Sequence, residues 1–78
     1  MWGDRLARSG KVVEAVAHYR EALAFRPDDA ELHTSLGMAL ARLGQFAEAQ
    51  PEFEAAVRID PNLQVARKAL AAVQARKK

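Results

Sequence analysis

Apolar residues fall along this chain in stripes of helical spacing, separated by corners that contain proline or glycine. Leu32, Leu36, Ala39, Leu40 and Leu43 recur three or four positions apart and predict one amphipathic helix. Asp28 with Glu31 three residues later, just after Pro27, forms a capping-box arrangement at its start. Gly44 suits the left-handed residue that follows a helix end. A second stripe of Phe46, Ala49, Phe53, Ala56 and Val57 predicts a helix that begins near Gln45 and stops before Asp60-Pro61. Asn62 is then expected to cap a last helix whose apolar side is Ala66, Ala69, Leu70 and Val73. Pro51 breaks a local rule, since a proline inside a helix removes a backbone bond at a cost of ~3 kcal/mol. The apolar spacing runs on to Ile59, so a slight bend or a loosened first turn is expected there, and no chain break.

Sliding the chain against itself by 34 residues aligns nine identities between the first copy and the second. Gly3, Leu6, Ala7, Arg8 and Gly10 return as Gly37, Leu40, Ala41, Arg42 and Gly44, and Glu14, Ala15, Ala22 and Pro27 return as Glu48, Ala49, Ala56 and Pro61. Tyr19 meets Phe53, Leu23 meets Val57 and Phe25 meets Ile59. One further shift lays Leu36, Ala41 and Arg42 over Leu70, Ala75 and Arg76. A fixed period in the range of ~20–50 residues is the mark of a solenoid. The expected architecture is therefore all-α, a helix-turn-helix repeat superhelix of about five antiparallel helices. It divides into a truncated first repeat (1–29), a complete repeat (30–63) and a C-terminal capping helix (64–78).

Composition narrows this further. Seventeen of 78 residues are alanine, against five aromatics, which favours closely packed helices over sheets. A chain of this size forms one domain and buries only ~60% of its unfolded surface, which speaks against a deep enclosed active site. There is no cysteine and so no disulfide or thiolate metal site. No apolar run is long enough for a membrane span, and Met1-Trp2-Gly3-Asp4 does not open like a signal peptide, so a cytoplasmic location and no membrane partner are expected.

With Leu36-Gly37, Ala39, Gly44, Phe46, Ala49, Phe53, Ala56 and Asp60-Pro61-Asn62, the complete unit resembles the tetratricopeptide repeat. The preceding copy contributes Trp2-Gly3, Gly10, Ala15, Tyr19, Ala22 and Pro27. There are departures: His33 stands at the family's usual tryptophan, the first copy lacks its opening turn, and the last copy stops after one helix. The resemblance implies a protein-interaction scaffold whose first helices line a concave groove for a peptide or partner helix. Carried over residue by residue, that groove takes in Arg8, Glu31, Thr34, Met38, Arg42, Lys68 and Arg76. Arginine holds carboxylates through paired hydrogen bonds, so the column Arg8, Arg42 and Arg76 points to an acidic partner segment, unless a basic residue there serves solubility alone. Some family members clamp a chaperone's C-terminal carboxylate with lysines, asparagines and an arginine. Here Thr34 and Met38, or in the other register Ser35, Val65 and Ala69, stand where those residues are needed, which disfavours that activity.

The alternative function is structural self-assembly. Val13, Val16, Ala17 and Ala24 stand where Ala47, Gln50, Pro51 and Arg58 stand one repeat later, so the first copy is the more apolar. Trp2, Val13, Val16 and Ala17 form the candidate self-association face, covered by earlier repeats, by a second copy in a homo-oligomer, or by Trp2 and the first helix folding over it. Catalysis finds no support: no phosphate-binding glycine loop, nucleophile triad or paired His-Glu metal motif occurs. His18 between Glu14 and Glu21 reads as a solvated surface cluster and His33 as a packing residue, so no metal or cofactor is expected. Arg76-Lys77-Lys78 lacks interleaved aromatics and reads as a solvated helix end, so no nucleic acid is expected.

Overall fold

A computed structural model describes the backbone of residues 2–76 and the side chains of residues 10–76. The described residues form four helices and no strand: α1 (Trp2–Phe25), α2 (Ala30–Arg42), α3 (Phe46–Ile59) and α4 (Gln64–Arg76). Five helices were expected, and the difference lies at Gly10. It does not end a helix but lies within α1, which runs unbroken for 24 residues. Among the described residues only Gly44 takes a positive φ, +80°. Continuing α1 through Gly10 gains a backbone hydrogen bond per residue. A glycine inside a helix costs only about 1 kcal/mol, so continuation wins.

The α2–α3 corner does form as the sequence predicts. Gln45 N–H donates to Leu40 O at 2.9 Å and Gly44 N–H to Ala41 O at 3.0 Å, the paired bonds that close a helix ending in a left-handed residue. The start of α2 is shifted by one from the expected box. Its cap is Asp29, whose carboxylate accepts from Leu32 N–H at 3.1 Å, while Asp28 is exposed in the turn. Asn62 likewise belongs to the turn and does not cap α4: its N–H donates to the Asp60 carboxylate at 3.1 Å, and α4 begins only at Gln64. Helix α3 continues through Pro51, which is exposed.

Helix α2 is the centre of the molecule, touching α1, α3 and α4, and α4 packs chiefly on α3. Phe53 and Leu40 are the largest fully buried side chains, joined by Leu36, Ala39, Ala49, Val73 and Val16 in one cluster. Gly37 is the point of closest approach: a Cβ there would lie 2.6 Å from the Phe53 ring, so a side chain of any size is excluded. The small alanines set this spacing. Ala49, Ala56 and Ala66 are completely enclosed, which brings neighbouring helices near enough for Phe53 to fill the gap. The whole measures 39 × 33 × 17 Å, a slab two helices thick.

Two expected surface residues are buried. Val16 turns toward α2 and belongs to the core, so it is not part of an exposed self-association face; Val13, 55% exposed, and Ala17 remain outside. Thr34 is not open to a ligand: it is buried, and its hydroxyl donates to Ala30 O at 2.8 Å within its own helix.

Candidate partner-binding groove

A groove of about 340 Å³ runs between α1 and α2. Lys11, Val12, Ala15 and Tyr19 form one wall, and Ser35, Met38, Ala39 and Arg42 form the other. Spacing on the helices explains this lining: residues three, four and seven apart share a face, so each wall is a single stripe. The middle is apolar, with Met38 42% exposed although methionine is ordinarily buried. Lys11 and Arg42 are both exposed at its edge, and among the described lining residues there is no carboxylate.

Of the residues expected to line a peptide groove, Met38 and Arg42 lie here together. The others lie elsewhere. Glu31 edges a hollow between the two proline corners, beside Asp28, Asp29 and Asp60. Lys68 lies on α4 with Gln64, Arg67 and Ala71. Arg76 is exposed, and its guanidinium carbon stands 5.0 Å above the Phe46 ring, a cation–π contact that fastens the end of α4 to α3. The side chains of Trp2 and Arg8 lie outside the described residues, as do Lys77 and Lys78. Tyr19, Lys11 and Val12 were not singled out as groove residues. Their signal was in the repeat, because Tyr19 aligns with Phe53 and Val12 with Phe46, both of which contribute to the core one unit later.

His33 holds a position that spacing alone did not reveal. Its Nδ1 lies 2.9 Å from Glu52 Oε1 and its Nε2 lies 2.8 Å from Pro27 O. Both partners accept, so the ring satisfies both only by donating from both nitrogens, as the imidazolium. Partial burial alone would lower its pKa, but the bonds to Glu52 and Pro27 and the charges of Glu52 and Asp29 outweigh it, and the pKa is raised above 6.5. His33 thus ties α2 to α3 and to the preceding corner, a structural task. Glu14, His18 and Glu21 do not converge, and among the described residues no group of three His, Asp or Glu side chains could hold a metal ion. No described helix is long and apolar enough to cross a membrane.

Comparison with known proteins finds two family models that match the chain. One family model, described as TPR repeat, matches residues 3–44, and a second, described as tetratricopeptide repeat, matches residues 30–63. The chain belongs to the tetratricopeptide repeat family. In this tetratricopeptide repeat chain the second match spans α2 and α3. The chain is also similar to the Hsp70-Hsp90 organizing protein of Triticum aestivum, 29% identical over 59 residues. That match takes in 76% of this chain but spans only about a tenth of the relative.

Proposed function

We propose that this chain is a protein-interaction module that receives a helical segment of a partner protein in the groove between α1 and α2. The observation that carries the reading is the exposed Met38 in an apolar furrow edged by Lys11 and Arg42. An amphipathic helix fits such a furrow by inserting apolar residues spaced three and four apart, while the two cations favour carboxylates along its flank. Neither wall carries a group that rejects an apolar side chain, and both are parts of rigid helices, so little ordering accompanies binding. The module joins proteins and performs no chemistry of its own. The relative bears a name that couples two proteins, which supports an adaptor-like use for a similar repeat unit.

Panning a displayed library of helical peptides against the chain tests this. Selected peptides should carry an apolar stripe with acidic flanks. Met38→Asp should weaken them at least tenfold, and Arg42→Ala about threefold to tenfold at low salt, with the Arg42 effect fading as salt rises. Peptides whose affinity ignores Met38→Asp would overturn the groove as the binding site. Affinity unchanged in Arg42→Ala would remove the arginine from the mechanism.

A further inference from the structure

The two ends of the furrow between α1 and α2 differ in chemistry. A short corner joins the helices and makes them antiparallel, so Tyr19 and Ser35 line the end near the corner, while Lys11 and Arg42 line the far end. The pairs are separated by ~12 Å along α1 and ~10 Å along α2. Hydroxyls thus stand at one end and cations at the other, with Ala15, Met38 and Ala39 between them. The repeat contains a filled copy of the same furrow. Thirty-four residues later Phe46, Ala49 and Phe53 of α3 stand for Val12, Ala15 and Tyr19, and Val73 and Arg76 of α4 stand for Ala39 and Arg42. Helix α2 touches both of those walls, with Gly37 against the Phe53 ring. Tight corners join α2 to α3 and α3 to α4, so α2 runs antiparallel to α3 and parallel to α4. The two furrows part at the arginine. Arg76 holds its guanidinium 5.0 Å above the Phe46 ring, whereas Val12 offers Arg42 no ring, and exposed Lys11 adds a cation where the later copy has Gln45.

We infer that the furrow fixes the direction and register of its occupant: a partner helix docks antiparallel to α1 and parallel to α2, with carboxylates in its last turn beside Lys11 and Arg42 and a glycine or alanine over Tyr19. This rests on the groove reading above and adds which way round the helix lies. Two independent observations give the same direction. Helix α2 takes it on α3 and α4. The C-terminal end of a helix also carries partial negative charge, which this direction brings to the two cations and the reverse direction brings to the uncharged end. The register follows from the filled copy. A Cβ at Gly37 would come within 2.6 Å of the Phe53 ring, and Tyr19 is the repeat of that ring, so a large side chain above it is overpacked. Arg42, with no ring to cover, is available for a bidentate bond to a carboxylate.

The probe is a lactam-stapled helical peptide with a Leu-Ala-x-x-Leu core and two glutamates in its last turn. Because the chain has no cysteine, a nitroxide can be placed singly on Asp28→Cys near the corner or on Gln45→Cys near the cationic end, both exposed positions. The Gln45→Cys label should broaden the amide signals of the peptide's C-terminal half, and the Asp28→Cys label those of its N-terminal half. A stapled isomer with the glutamates moved to the first turn should bind at least tenfold more weakly at low salt, and the Lys11→Ala/Arg42→Ala chain should bind the two isomers alike. Replacing the core alanine by leucine should also weaken binding at least tenfold. The opposite broadening pattern, or equal affinity of the two isomers for the unaltered chain, with binding still lost in Met38→Asp, would overturn the direction and leave the groove reading intact. Unchanged affinity of the leucine-substituted peptide would overturn the register. Binding that Met38→Asp does not weaken, or no binding of either isomer, would overturn the groove reading and the direction together.

Discussion

At the scale of single residues, His33 makes stability depend on pH. Its folded pKa is raised, so the stabilisation is fully present below the unfolded value of 6.5 and is lost as pH rises through the folded value. Above that value one ring nitrogen loses its proton and turns a lone pair toward a carboxylate or carbonyl oxygen. Melting temperature is thus expected to fall as pH rises above 6.5, and a His33→Ala chain should lack that slope. Equal slopes in the two chains would remove the imidazolium bridge from the account. The residue also shows where reading the sequence stops. The spacing of His33 on an amphipathic helix was plain, but its partners come from Pro27 and from Glu52, 19 positions away, and nothing local predicts that pair. Thr34 is a similar case. It occupies a repeat position associated with ligand contact, yet its hydroxyl finds Ala30 O first, as hydroxyls inside helices commonly do.

At the scale of elements, two glycines related by the repeat have opposite roles. Gly44 ends α2 at φ +80°, where an alanine is strained, whereas Gly10 lies in α1 with open space where a Cβ would be. Gly44→Ala should destabilise the chain by about 1–2 kcal/mol and Gly10→Ala should stabilise α1 by about 1 kcal/mol, as thermal unfolding monitored by circular dichroism would report. A Gly10→Ala change that destabilised as Gly44→Ala does would mean that α1 turns at Gly10 in solution. The stripes of α2, α3 and α4 and the corner at Gly44 were legible because each stripe is long and each stop signal agrees with it. The continuity of α1 was not legible. The letters around Gly10 match those around Gly44, yet α1 runs on through Gly10 whereas α2 ends ahead of Gly44. Of the candidate groove, Met38 and Arg42 could be read from the repeat register. Val12 and Tyr19 carried a signal there too, opposite Phe46 and Phe53, whereas Lys11, opposite Gln45, carried none.

At the scale of the molecule, stability is graded. In a stack of helices each one is held chiefly by its neighbours, so the helix with most neighbours opens last. Here that helix is α2, between α1, α3 and α4, and it carries Leu36 and Leu40 on its inner side. Native-state hydrogen exchange should find the slowest amides at residues 36–40 and faster exchange in α1 and α4. Slowest exchange in α4 would contradict this order.

The central place of α2 has a consequence for regulation. One wall of the groove is α2 itself, so any occupant leans on the helix whose release governs the opening of the rest. Occupancy and stability are thereby linked: a ligand bound in the furrow is expected to slow proteolysis of the whole chain, as limited digestion with and without a selected peptide would show.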